Sequence, residues 1–501
     1  MEKIWKFLRE PVNLSQILAR RASGVRSFPE VKMQRLALLL LGTVSGAALA
    51  ASAPTSQPRA DALAACSAEL YAVEGATVNN TTVCEELNVS DKADLSKTIA
   101  QRDLSISYDK TGDMLLKQGN TPAALKAYHN GLAIRERLAS AAPANSQAQR
   151  DLAISYNNVG DVLFQQGVVA AALKIFSDGL AIAERRAKAK PSDAQAQSDL
   201  SVFYSKASNV LLRQGDTLAA LKANRNGLDI RERLARADPS NTMAQRNLAM
   251  SYDNVGDVLS QQGDAAAALK AYRDGLVIRD KLARSDPTNP QAKRELSVSH
   301  IKVGSILLQQ GYAAAALKAY RDALAIAEPL ARADPSNSQA MRDLSISYNR
   351  IGNVLLQLGD ASSALKAYRD ALAVAEPLAR ADPSNAQAQR NLSISYNKIG
   401  DVLLQQGDTA AALKAFRGEQ AIAKRLADAD PANAQAQRDL FICHAKLAQV
   451  AETQRDKVGA IRELEAGEAI LVALLARVPD NTGFVSDLAN VRANLAWLRG
   501  S

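Results

Sequence analysis

Apolar residues fall in stripes with a helical period. Leu392, Tyr396, Ile399 and Leu403 stand at i, i+4, i+7 and i+11, so one face of that segment is apolar. The stripe ends at Gln-Gln-Gly, where Gly407 can take the left-handed conformation that closes a helix. Asp408 follows, offering a side-chain oxygen to the free N–H groups that begin a second helix. That helix carries Leu413, Phe416 and Ile422 and runs to an Asp-Pro pair, whose proline disfavours helix in the residue before it. At 1.5 Å per residue, two helices of about 20 residues are each roughly 30 Å long.

The unit recurs. Leu104, Leu152, Leu200, Leu248, Leu296, Leu344, Leu392, Leu440 and Leu488 are spaced by 48 residues, and Pro143, Pro191, Pro239, Pro287, Pro335, Pro383, Pro431 and Pro479 keep the same step. Gly400 is echoed by Gly112, Gly160, Gly256, Gly304 and Gly352, and Gly407 by Gly119, Gly167, Gly215, Gly263, Gly311 and Gly359. A nucleotide-binding glycine loop is made once, before a helix and with Lys and Ser/Thr in place, so these glycines are structural. The expected fold is all-α: an α-solenoid of eight stacked helix–turn–helix repeats over residues 98–478, closed by a capping helix at 479–501. In the eighth repeat Ala448 and Arg455 replace the two glycines, and the last segment supplies Leu488, Val491, Leu495 and Leu498. Pro329 and Pro377 lie inside second helices, where local curvature or a break is expected.

The sixth unit reads Tyr348-x2-Ile351-Gly352-x2-Leu355, then Ala364-x3-Tyr368-x2-Ala371. This resembles the tetratricopeptide repeat, over about four fifths of the chain. Pairs such as Asn157-Asn158 before the glycine are similar to kinesin-light-chain repeats. The period of 48 departs from the usual 34 or so, and tyrosine stands where tryptophan is commonest. The resemblance implies a concave groove lined by the first helices. Its candidate peptide-binding residues are Asn157, Asn158, Asp161, Lys206, Asn254, Lys302, Asn349, Arg350, Asn397 and Lys398. Asn side chains can both donate to and accept from an extended backbone, and the interleaved Lys and Arg favour acidic segments. The competing reading is a set of Lys–Asp surface pairs, three apart on a helix and copied by duplication.

Composition changes the picture little. The chain is 47% hydrophobic and 4% aromatic, a balance that favours helices. Of the net charge of +9, residues 1–35 hold eight Lys/Arg against three Asp/Glu. The remaining 53 against 49 make a mixed surface, which argues against nucleic acid as a partner. Residues 1–50 read as a leader: the apolar core 36–50, a basic flank and Ala48-Leu49-Ala50 have the form of a secretory signal peptide, with Met1 or Met33 as alternative starts. A periplasmic or secreted bacterial protein is expected; an uncleaved inner-membrane anchor and a cytoplasmic protein are the alternatives. Residues 51–97 form an N-terminal segment in which Cys66 and Cys84 are a disulfide candidate, whereas Cys443 falls on an apolar helix face. His129, His300 and His444 lack metal-ligand spacing, and no serine has a nucleophile-elbow context. The expectation is therefore no enzyme, no cofactor, no metal and no small-molecule substrate. In their place stands a protein-interaction scaffold with a peptide or protein partner. A self-assembling structural solenoid and a cytosolic regulatory scaffold are the alternative functions.

Overall fold

A computed structural model describes residues 89–500; the leader and the Cys66/Cys84 pair lie outside them. The described chain is helical throughout and falls into two compact units that meet in sequence at Gln262 and Gly263. The first holds α1 (Val89–Lys117), α2 (Thr121–Ala141), α3 (Ser146–Gln165), α4 (Val169–Ala189), α5 (Ala194–Arg213), α6 (Thr217–Ala237) and α7 (Thr242–Gln261). The second holds α8 (Ala265–Ser285), α9 (Pro290–Gln309), α10 (Ala313–Ala333), α11 (Ser338–Gln357), α12 (Ala361–Ala381), α13 (Ala386–Gln405), α14 (Thr409–Ala429), α15 (Ala434–Thr453), α16 (Lys457–Arg477) and α17 (Thr482–Gly500). Within each unit successive helices pack as stacked hairpins, which is the all-α solenoid expected from the period. α1 crosses the expected boundary at residue 98, and α17 buries Phe484, Val491, Leu495 and Leu498 on one face.

Both glycine positions have distinct causes. Gly407 and its counterparts hold φ between 75° and 83° with open space around them, so backbone conformation selects glycine there. Gly400 is crowded instead: a Cβ on it would lie 2.6 Å from Cε1 of the Phe416 ring. Gly352 admits Tyr368 in the same way, and Gly160 admits Phe176. Where the second helix has no aromatic ring the glycine is absent too, as in Ser208 with Asn224 and Ala448 with Leu464. The first glycine is thus one half of a packing pair.

Helix ends follow the capping residues. Asp408 accepts from the Ala411 N–H at 3.0 Å and Asp360 from the Ser363 N–H at 2.9 Å. First helices are capped as well: Asn145 accepts from the N–H groups of Gln147 and Ala148, both at 3.0 Å. Pro329 and Pro377 sit inside unbroken helices. Both lie on the exposed side, where the carbonyl released by a proline can be hydrated.

Candidate partner-binding face

Within each unit the first helices of successive hairpins approach one another, α5 with α7 in one and α9, α11 and α13 in the other. Charged side chains join them. Where one first helix carries arginine at this position and the next carries aspartate at the following one, the two meet across the stack. The pairs are Arg102–Asp151 at 2.7 Å, Arg150–Asp199 at 3.0 Å, Arg294–Asp343 at 2.6 Å and Arg390–Asp439 at 2.9 Å. The Arg-Asp dipeptides at 102–103, 150–151, 342–343 and 438–439 are visible in the sequence, but the pairing needs the stacking order.

The sequence-derived candidates divide between the units, and several already have partners. In the first unit Lys206 reaches Asp161 at 2.7 Å, from one first helix to the previous one. Asn157 donates to Asp161 at 3.3 Å, while its own Oδ1 is buried without a partner. Asn158 and Asn254 are half-buried, and the Asn254 backbone carbonyl accepts from the Asn224 side chain at 3.0 Å. In the second unit Lys302 lies 5.2 Å from the Tyr272 ring centroid, a cation–π distance. Asn349 donates to the Ser395 hydroxyl at 3.4 Å and leaves its Oδ1 buried and unpaired. Arg350 is exposed and Lys398 half-buried; neither makes an ion pair. Asp401, three residues after Lys398, turns to Lys446 of the next repeat at 2.8 Å. On the first helices these Lys–Asp pairs run between repeats, whereas on the second helices pairs such as Lys318–Asp322 run along one helix.

Asn397 has the most unusual partner. Its amide donates to both oxygens of Glu419, at 3.0 and 3.1 Å. Glu419 is 5% exposed and stands where the other second helices carry glycine or alanine. Burial pushes its carboxyl up to about 7, with the Asn397 hydrogen bond opposing the shift. The buried Cys443 thiol is also pushed up, first by burial and then by Glu419. His444, on another face of the same helix, meets Glu463 at 2.8 Å.

In the comparison with known families, the model described as "Tetratricopeptide repeat" matches residues 248–283 and 345–376. Those two segments carry the tetratricopeptide repeat. Similar solved structures include BtubC (BKLC) from P. vanneervenii, with 18% identity, 51% of this chain and 90% of that one covered and a TM-score of 0.41. The apo form of RapI has 13% identity, coverage of 65% and 99%, and a TM-score of 0.42. A Rap protein complexed with competence and sporulation factor has 14% identity, coverage of 79% and 99%, and a TM-score of 0.38. No curated protein matches the chain. The aromatic of the second helix, Tyr368 in the second matched segment and Phe416 in the repeat after it, is among the most deeply buried side chains.

Proposed function

We propose that this chain is a protein-interaction scaffold whose first-helix face in the second unit captures an extended peptide or protein segment. The observation that carries the proposal is the pair of cations without counter-ions, Arg350 and Lys398, beside Asn349 and Asn397 on neighbouring first helices. Stacked repeats place such groups in series, so weak contacts add along one partner. Two unpaired cations favour an acidic segment, and no catalytic step is part of the proposal. The leader supports export to a periplasm, which N-terminal sequencing of the mature protein tests: retention of residues 1–50 would refute cleavage.

Affinity capture from native extract with the full chain tests the face. Since Asn397 also holds Glu419, the informative variant replaces only Arg350→Ala and Lys398→Ala. A partner kept by the native chain and lost by this folded variant supports capture at the face. A partner retained by both refutes it, and capture of further copies of the chain alone favours self-assembly.

A further inference from the structure

The Arg–Asp ladder breaks once in the second unit. Arg342 of α11 occupies the arginine position, but the residue that should answer it on α13 is Asn391. Arg342 makes no ion pair, and its Nε is buried without any hydrogen-bond partner. Asn391 accepts from Gln387 Nε2 at 3.0 Å, which leaves its own Nδ2 to donate. Both residues line a cleft of 690 Å³ between α11, the end of α12 and the start of α13.

Small residues on α12 leave room for the cleft. Ala375 stands where Arg135 and Arg231 stand in the first unit, each buried and bonded across to serines of neighbouring first helices. Pro377 stands where Arg425 stands in the next repeat, whose guanidinium reaches Gln389. The nearby carboxylates are occupied. Asp343 is held by Arg294 at 2.6 Å and by Gln339 at 2.9 Å, and Asp382, which also lines the cleft, is held by Ser384 at 2.6 Å.

We propose that this cleft is a carboxylate site for an acidic peptide segment, with Arg342 and Asn391 as its donors. A guanidinium N–H out of water and without an acceptor gains more from an incoming carboxylate than a solvated cation does. The ligand is a segment and not a free acid, because the binding strip continues beyond the cleft. Arg342, Ile346 and Arg350 fall at i, i+4 and i+8 on one face of α11, beside the exposed Ile394 of α13. From Arg342 to Arg350 is roughly 12 Å along the helix, or about four residues of extended chain. An acidic residue at each end and an apolar one between them match that strip. The inference rests on the peptide capture proposed above and names the pocket that would give it chemical preference.

Fluorescence anisotropy with the full chain tests it, using labelled Gly-Glu-Ala-Leu-Ala-Glu-Gly and the same peptide with glutamines. The glutamate peptide should bind at least about tenfold tighter than the glutamine one, with affinity falling as salt rises. Asn391→Asp supplies the carboxylate that α11 and α15 carry at this position, so it should keep the helical circular-dichroism spectrum yet lose at least about tenfold in affinity; Arg342→Gln should do the same. Native affinity in Asn391→Asp overturns the cleft. If Arg350→Ala with Lys398→Ala then abolishes binding, capture by the face survives without it. Equal displacement by glutarate at the peptide's concentration overturns the peptide assignment. No binding by the native chain overturns the acidic-peptide site itself.

Discussion

Replacing Glu419 by glutamine should change how the stability of the second unit depends on pH. The carboxyl is 5% exposed and rises from 4.5 to about 7, chiefly through burial. Between those values the folded state keeps a proton that the unfolded chain releases, so stability is full below pH 4.5 and falls as pH rises through 7. The difference between 4.5 and about 7, at 1.36 kcal/mol per pH unit, gives a loss of about 3 kcal/mol. Glutamine removes the titration and keeps an oxygen for the Asn397 amide. Hydrogen exchange read by mass spectrometry on α14 and α15 reports this region separately from the rest of the stack. The stability difference between Glu419→Gln and the native chain should widen in favour of the variant by about 3 kcal/mol from pH 4.5 to 8. A difference that stays flat, or that widens in favour of the native chain, would refute the buried, proton-holding Glu419.

The remaining predictions concern the repeat itself. Gly400→Ala drives a Cβ into the Phe416 ring and should cost about 1–3 kcal/mol in thermal denaturation; adding Phe416→Leu, the Ala448/Leu464 combination of the eighth repeat, should recover most of it. Arg455 holds φ 62° where the other repeats have glycine, so Arg455→Gly should stabilise that turn by about 1 kcal/mol, seen as slower exchange in α15 and α16. Asp408→Ala removes the oxygen that receives the Ala411 N–H and should lower stability by about 1 kcal/mol in the same melt.

What the sequence makes legible here is local. The stripe of Leu392, Ile399 and Leu403, the closing Gly407 and the capping Asp408 each act within a few residues, so period and pattern suffice to place them. Asn145, Asn385 and their kin are equally local caps, hidden inside a segment that reads as a proline-marked loop. Contacts between repeats are different. Asp161 meets Lys206 and Asp401 meets Lys446, partners that lie a whole repeat away. A ladder of polar residues before the glycine therefore reads as a row of free hands, although several of those hands hold the next repeat. The preference of Gly400 for its site also needed the facing ring, since helix propensity alone argues against glycine there.

Duplication supplies its own controls, because every departure can be compared with repeats that lack it. Some departures are compensated within the fold: Ser208 comes with Asn224 and Ala448 with Leu464, so a lost ring is matched by a lost glycine. Such pairs are packing choices and need no further cause. Among the departures without such a match are these three. Glu419 puts a carboxyl where glycine or alanine fits, Asn391 takes away the carboxylate that Arg342 would meet, and Arg455 holds a left-handed backbone without glycine. Arg455 involves no buried polar group, so its strain can be a neutral residue of drift. Glu419 places a carboxyl out of water and Asn391 leaves the Arg342 Nε there without a partner, changes that drift alone tends to remove because each lowers stability. Both lie in the second unit, and α13 connects them directly: Asn397 holds Glu419, while Asn391 lies six residues earlier on that helix. One helix thus carries Asn391, Lys398 and the Asn397 that holds Glu419 of α14, and that concentration, more than the repeated ladder, is why partner capture is placed there.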